Sequence, residues 1–168
     1  MSGPDAEVLA RRVHEALLAR DETLAVAESL TGGALASALV SVPGASATFR
    51  GGVVAYASDL KASLLGVDEG LLARAGPVDT VVAQEMAAGV RQRLGATYGL
   101  STTGVAGPDP QDGHLPGEVH LGLAGADRSW PGHRRLDLAG DRAAVRAGAV
   151  VAALAFVEEI LHGRNNRV

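Results

Sequence analysis

Short uncharged segments of strand type alternate with amphipathic helical segments along this chain, and few architectures accommodate that order. Residues 23–27 and 98–103 are predicted to be buried strands, because each is a short run without a charged residue. Apolar residues recur at helical spacing in residues 5–20 and 79–94. Helices that alternate with strands pack in layers on a sheet that is at least partly parallel. We therefore predict an α/β fold, a single layered α/β/α domain with a mixed, partly parallel sheet.

The second half of the chain is predicted to continue this pattern with a hairpin and a long helix. Residues 118–124 and 130–138 are expected to pair as antiparallel strands after a polar loop. Residues 140–161 are expected to form the final helix, because a Gly-Asp pair marks its start.

Length and composition fit one domain with an aliphatic core. The chain has 168 residues, of which 47% are hydrophobic and only 3% aromatic, so Ala, Val and Leu must fill the interior. We expect residues 1–168 to form that one domain, with residues 163–168 as a frayed polar tail. A mostly aliphatic domain of this size could associate through one helix face, and we expect a homo-oligomer.

Charge and cysteine content exclude several functional classes. A net charge of −4 argues against binding to nucleic acid or to an anionic membrane. The absence of cysteine excludes disulfides, thiolate nucleophiles and Cys-ligated zinc. No segment has the pattern of a signal peptide, and the longest apolar run, residues 147–157, is too short to span a bilayer. We expect a soluble, cytoplasmic protein.

Lys61 is the only lysine of the chain, which otherwise uses fourteen arginines for its cations. Arginine keeps its proton at any ordinary pH, whereas a partly buried lysine can lose its proton and act as a base. Lys61 is therefore a candidate for chemistry. The alternative is that a compositional bias left one ordinary surface lysine behind.

Residues 28–33 form a glycine-rich junction between a predicted strand and a predicted helix. Ser29 and Thr31 offer hydroxyl groups, and Gly32 and Gly33 allow a ligand to approach the backbone. Free amides and the helix dipole at such a junction favour an anion such as phosphate. The alternative is a helix cap, because Ser and Thr are preferred capping residues.

A second glycine-rich loop, residues 101–107, follows the other buried strand. It presents Thr103, Gly104 and Gly107 at the carboxyl end of that strand. Open α/β folds bind ligands where two such loops meet at one sheet edge. Arg142, near the start of the final helix, could complete a phosphate site or could simply be solvated.

A third set of candidates is Ser46, Tyr56 and Lys61. A serine becomes a nucleophile when a neighbouring base takes its proton, and a desolvated lysine or a tyrosinate can be that base. Ten residues of straight strand would place Ser46 roughly 33 Å from Tyr56. Gly51 and Gly52 predict a bulge or a close backbone approach between them, and the sequence leaves open whether the three side chains meet.

A metal site is not predicted. Asp109, Asp112 and His114 share one polar loop, but they lack the spacing of a calcium loop, and one His with two Asp is weak evidence for zinc. We expect neither a metal nor a cofactor.

Several motifs, in this order, resemble those of one family, the C-terminal domain of the competence-damage-inducible protein CinA. They are residues 27–33 (AESLTGG), 42–46 (VPGAS), 49–56 (FRGGVVAY), Lys61, 65–67 (LGV), 103–109 (TGVAGPD), 116–117 (PG) and 140–142 (GDR). That family includes nicotinamide-nucleotide amidases, which hydrolyse the carboxamide of nicotinamide mononucleotide (NMN) to nicotinate mononucleotide and ammonia. The resemblance therefore implies NMN as the small-molecule partner.

The resemblance also implies roles for individual residues. Ser46 would be the nucleophile, activated by Tyr56 and Lys61, while Ser29 lies in an equally well matched motif and is the alternative nucleophile. Thr103 and the backbone around it would help to hold the substrate, and Arg142 would bind its phosphate. Such a reaction needs no metal.

Two functions of other classes remain as alternatives. A non-catalytic nucleotide-binding or regulatory module would use both glycine-rich loops equally well. A nucleotide hydrolase of another type, such as an ADP-ribose pyrophosphatase, is less consistent with the sequence, because that chemistry usually needs carboxylate-bound magnesium.

Overall fold

The structure, a computed structural model, describes residues 5–125 and 132–165. Its strands are β1 (Leu24–Glu28), β2 (Phe49–Val54), β3 (Tyr98–Gly104), β4 (Glu118–Ala124) and β5 (Gly132–Asp137). Its helices are α1 (Ala6–Leu18), α2 (Ala34–Val40), α3 (Ser58–Leu65), α4 (Glu69–Ala75), α5 (Thr80–Leu94) and α6 (Arg142–Asn165), and a short 3-10 turn spans Ala45–Ala47.

The five strands form one mixed sheet in the order β2-β1-β3-β4-β5. Strand β1 pairs in parallel with both β2 and β3, whereas β4 pairs antiparallel with β3 and with β5. The carboxyl ends of β1, β2 and β3 therefore lie at the same edge of the sheet, which is where α/β proteins bind ligands.

Helices cover both faces of the sheet, and the residues of β1 show how the two cores are divided. Leu24 and Val26 pack with residues of α1, α2 and α6, whereas Ala25 and Ala27 pack with residues of α3, α4 and α5. This division follows from the alternation of side chains along a strand. The predicted α/β/α layers and mixed sheet are confirmed.

The two glycines within β2 produce the predicted irregularity. The pairing register between β1 and β2 shifts by one residue, so that Leu24 faces Phe49 while Ala25 faces Gly51. Gly51 has a φ of 143°, and a Cβ on Gly52 would lie 2.8 Å from a methyl group of Val26. A bulge and a close approach therefore both occur here.

The C-terminal part of the chain differs from the prediction in two ways. Helix α6 continues through Asn165, so residues 163–165 are helical and α6 extends beyond the predicted end at residue 161. The predicted strand 130–138 is observed as β5, while its first two residues lie outside the described residues. Within the described ranges, no helix is both long and apolar enough to cross a membrane.

One glycine sets how closely α5 approaches α3, the helix that carries Lys61. A Cβ placed on Gly89 of α5 would lie 1.8 Å from the carbonyl oxygen of Leu65, at the end of α3. No rotamer change can relieve a clash with backbone. Gly89 therefore allows the backbone contact that fixes α3 against the sheet.

We expect Gly89→Ala to lower the free energy of unfolding by about 3 kcal/mol, because α3 and α5 must separate to admit the methyl group. The matched control is Gly163→Ala in α6, where a Cβ would meet nothing within 4 Å. Alanine is the better helix former, so this control should raise the free energy of unfolding by up to about 1 kcal/mol. Urea denaturation measures both, and equal stability of the two variants would contradict the contact.

Candidate active site

The carboxyl ends of β1, β2 and β3 open onto a cleft of about 120 Å³. Segments distant in sequence supply its lining: Ser29 and Leu30 after β1, Tyr56, Ser58 and Lys61 after β2, Pro77 and Val78 before α5, Thr103, Gly104, Val105, Ala106, Gly107, Asp109 and Gln111 from the end of β3 and the following loop, and Arg142 from α6. The structure thus brings together most of the polar residues that the sequence predicted for a site.

Lys61 is buried at the bottom of this cleft, with 1% of its surface exposed. Its Nζ atom donates hydrogen bonds to Ser29 Oγ at 3.0 Å, to the carbonyl oxygen of Ala55 at 2.8 Å and to that of Tyr56 at 3.4 Å. No carboxylate of the described residues forms an ion pair with it. Burial without a counter-charge lowers the pKa of Lys61 to about 8. A substantial fraction of this amine is therefore neutral near pH 8.

Ser29 is the hydroxyl group that this amine contacts. It follows β1 directly, and its backbone N–H donates to the carbonyl oxygen of Thr102 at 3.0 Å, which extends the β1–β3 ladder by one residue. Ser29 is mostly buried but lines the cleft. When Lys61 is neutral, its lone pair can accept the Ser29 proton across the 3.0 Å contact, and this is the arrangement of an activated serine nucleophile.

Ser46 does not take part in this arrangement. It is exposed on the 3-10 turn before β2, whereas Tyr56 and Lys61 follow the other end of that strand. A six-residue strand spans about 16 Å, and the bulge at Gly51 does not fold the chain back. The predicted grouping of Ser46 with Tyr56 and Lys61 is therefore corrected: among these serines, Ser29 lies beside the lysine.

The N-terminus of α2, predicted to bind an anion, is occupied by the protein itself. The buried carboxylate of Glu28 accepts the backbone N–H groups of Gly33 (3.0 Å), Leu35 (3.1 Å) and Ala36 (2.8 Å). The prediction that this helix N-terminus holds a phosphate is therefore wrong. Glu28 supplies the negative charge that the helix dipole favours, and it fixes the turn that presents Ser29.

Thr31, Gly32 and Gly33 serve that turn and do not line the cleft. The buried Thr31 hydroxyl contacts the hydroxyl of Thr102 at 2.8 Å, and both glycines have positive φ angles, of 59° and 97°. Their conformational freedom is used to return the chain from β1 into α2. Their predicted role as substrate ligands is thus replaced by a structural one.

Two arginines of α6 hold the loops around the cleft. Arg146 donates to the carbonyl oxygens of Leu30 (2.9 Å) and Thr31 (3.0 Å). Arg142 donates to the carbonyl oxygen of Gly107 at 2.8 Å and to Tyr56 Oη at 3.2 Å. Because Arg142 lines the cleft, its guanidinium is available to an anionic group of a ligand.

The backbone and the side chain of Tyr56 contact different residues of the site. Its carbonyl oxygen is close to Lys61, but its hydroxyl group contacts Arg142, and 60% of the residue is exposed. Tyr56 therefore lies at the rim of the cleft, with its hydroxyl beside the guanidinium.

Thr103 and Gly104, of the second glycine-rich loop, lie in the wall of the cleft. The Thr103 hydroxyl donates to the carbonyl oxygen of Pro77 at 2.7 Å, which fixes its orientation and leaves its lone pairs for a ligand. Within residues 5–125 and 132–165, no group of three His, Asp or Glu side chains could hold a metal ion.

Sequence reasoning missed the roles of Glu28 and Arg146. The available signal for Glu28 was its position at the end of an apolar strand and before a helix, where a buried carboxylate needs N–H donors. No comparable signal exists for Arg146, because its partners are backbone oxygens about 115 residues earlier in the chain.

Comparison with known proteins gives a consistent assignment. The model of the CinA C-terminal domain family matches residues 6–161. A CinA-like protein of Frankia casuarinae is 59% identical over 150 residues, covering 89% of this chain and 34% of that protein. A putative competence-damage inducible protein of Levilactobacillus brevis is 43% identical over 157 residues, covering 94% of this chain and 38% of that protein. The chain thus spans about a third of the length of these curated relatives.

Solved structures agree with the sequence comparison. A CinA superfamily protein of Klebsiella pneumoniae superposes with a TM-score of 0.90 at 34% identity, covering 95% of this chain and 99% of that chain. A CinA superfamily protein of Enterobacter cloacae superposes with a TM-score of 0.91 at 28% identity, covering 96% of this chain and 95% of that chain. The chain therefore belongs to the CinA C-terminal domain family.

Proposed function

We propose that this protein hydrolyses the carboxamide of nicotinamide mononucleotide to nicotinate mononucleotide and ammonia, with Ser29 as nucleophile and Lys61 as base. The observation that carries the proposal is the 3.0 Å contact between the buried Lys61 amine and Ser29 Oγ at the bottom of the cleft. Membership of a family that includes such amidases supports the choice of substrate.

In the first half of the reaction, neutral Lys61 takes the Ser29 proton while Ser29 Oγ bonds to the carboxamide carbon. The carbon–nitrogen bond then breaks, and Lys61 returns the proton to the leaving nitrogen, which departs as ammonia. This leaves a nicotinoyl ester on Ser29. One amine thus serves as general base and then as general acid, which suits a pKa near 8.

In the second half, a water molecule attacks the ester. Lys61 takes the proton of the water as its oxygen bonds to the acyl carbon, and it then protonates Ser29 Oγ as the ester bond breaks. The product forms as a carboxylic acid and loses its remaining proton to solvent to give the carboxylate, and Ser29 and Lys61 return to their starting states. The three hydrogen bonds of Lys61 hold its amine in place through both halves.

The rim of the cleft fits the nucleotide part of the substrate. Arg142 would bind the phosphate, because a guanidinium pairs with phosphate oxygens in a bidentate way, and Tyr56 Oη lies beside it at 3.2 Å. Thr103 and Gly104, at the end of β3, would contact the reacting part of the substrate.

We expect Ser29→Ala and Lys61→Met each to reduce kcat for ammonia release from NMN by at least about a thousandfold, because either change removes the nucleophile–base pair. Ser46→Ala is the matched control and should retain activity, since Ser46 lies beyond the other end of β2. The assay measures ammonia with EDTA present and with nicotinamide as a second substrate, and circular dichroism verifies folding.

Three outcomes of that assay would contradict the proposal, and each would favour a different alternative. Loss of activity in Ser46→Ala with normal Ser29→Ala would restore Ser46 as nucleophile. NMN binding without ammonia release by the natural protein would favour a binding module. Activity abolished by EDTA would favour a metal-dependent hydrolase.

The rate should depend on pH through Lys61. Because the pKa of Lys61 in the ligand-free protein is about 8 and only the neutral amine is a base, kcat/KM should rise about thirtyfold between pH 6.5 and pH 9 and level off above that. Lys61→Arg keeps a cation that does not lose its proton and should be inactive across this range. A kcat/KM that is flat from pH 6.5 to pH 9 would contradict the role of Lys61 as base.

A further inference from the structure

The loop between β3 and β4, residues 105–117, forms one wall of the cleft, and we call it the cleft loop. Backbone hydrogen bonds close its base, from Val105 N to Glu118 O at 2.9 Å and from Gly117 N to Val105 O at 2.8 Å. Its tip is a turn closed by a reciprocal pair of backbone bonds between Gln111 and His114, at 2.9 and 3.0 Å. These two bonds make the position of Gln111 depend on that of His114. Gln111 in turn lines the cleft.

His114 is tied to the sheet by a side-chain hydrogen bond to Glu118. Its Nδ1 atom lies 3.0 Å from Glu118 Oε1, at the first residue of β4. The same carboxylate oxygen contacts His120 Nε2 at 2.9 Å and Arg135 Nε at 3.4 Å. The Glu118 side chain is only 13% exposed, so these three donors replace most of the water that would otherwise solvate its charge.

The carboxylate itself is rigidly held. A carboxylate only accepts hydrogen bonds, so His120 Nε2 donates to Glu118, and the neutral ring can accept the Thr80 hydroxyl at its Nδ1 atom, 3.0 Å away. Thr80 is the first residue of α5, so Glu118 is connected through His120 to a helix as well as to the sheet.

The charges around this point favour an ionised Glu118. Burial opposes ionisation, but hydrogen bonds from His120, His114 and Arg135 outweigh it and lower the pKa of Glu118 to about 2. Asp137, its partner on β5, is turned to Arg135 Nη2 at 3.2 Å, and Asp79 caps the amides of α5. Glu118 is therefore the carboxylate to which the tip of the loop is bound.

We propose that His114 and Glu118 are positioning residues for the substrate: the hydrogen bond between their side chains holds the tip of the cleft loop against β4 and so places Gln111 and Asp109 in the wall of the cleft. The statement about substrate rests on the proposed function, whereas the restraint of the loop does not. Neither residue lines the cleft. Their effect should therefore appear in substrate binding and not in the chemical step.

The test compares His114→Ala with a matched control, His162→Ala. His162 also pairs with a glutamate four residues away, at 3.5 Å from Glu158 in α6, but it does not line the cleft. We expect His114→Ala to raise KM for NMN about tenfold with kcat within about twofold of the natural protein, and His162→Ala to change neither. His114→Gln, which retains a donor, should recover part of the loss, and Glu118→Gln should raise KM in the same way.

Hydrogen exchange of the ligand-free protein provides a readout that does not depend on activity. Amides of the cleft loop should exchange about tenfold faster in His114→Ala and at the natural rate in His162→Ala. Unchanged exchange in His114→Ala, or faster exchange with an unchanged KM, would overturn the proposal. If the natural protein releases no ammonia, the proposed function fails separately. In that case, the dissociation constant for NMN, measured by calorimetry, replaces KM in the comparison. If NMN does not bind either, hydrogen exchange of the cleft loop alone tests whether His114 restrains it.

Discussion

The side chain of Lys61 reaches the carboxyl edge of the sheet from α3, and its amine meets three oxygen atoms there. Removing an ammonium group from water costs several kcal/mol unless hydrogen bonds compensate for the lost hydration. Ser29 Oγ and two carbonyl oxygens provide that compensation only in part, since the pKa of Lys61 still falls to about 8. The close contact of Gly89 with Leu65 keeps α3 in the place where this balance holds.

Charge elsewhere in the site is arranged so that it does not disturb this amine. The carboxylate of Glu28 is one residue away from Ser29 in sequence, but it is directed into the N-terminus of α2 and accepts three backbone amides there. A carboxylate turned towards Lys61 would have favoured its charged form and reduced the fraction of neutral amine. The positive charge of Arg142 lies at the rim, beside Tyr56 Oη. The cleft therefore combines an amine of lowered pKa at its floor with a cation at its rim.

The main features of the fold follow from local sequence. The spacing of apolar residues predicts the helices, and the uncharged runs that become β1 and β3 predict a sheet covered on both faces. The glycine pair at Gly51 predicts the bulge in β2. The end of α6 was less predictable, because Gly163 is a residue that commonly ends a helix, yet α6 continues past it through Asn165.

The site was only partly predictable, for a physical reason. Lys61, Thr103 and Arg142 could be selected by residue type and position, and all of them line the cleft. The choice between Ser29 and Ser46 depends on which edge of the sheet each one reaches: Ser29 follows β1 at the carboxyl edge, whereas Ser46 precedes β2 at the opposite edge. That is a property of the sheet rather than of a motif. The occupation of the α2 amides by Glu28 is likewise a long side chain turned back on its own loop. Residue types at a strand end indicate both a cap and an anion site, and only the assembled turn distinguishes them.

The most direct test is the titration of Lys61 itself, followed by NMR on protein labelled with ¹³C at lysine Cε. Because the chain contains one lysine, a single side-chain signal reports this amine without assignment. We predict that the signal titrates with a pKa of about 8 and that Ser29→Ala changes its chemical shift. A pKa at the ordinary value for lysine, about 10.4, would show that the amine is charged under working conditions, and would contradict the account of Lys61 as the base for Ser29.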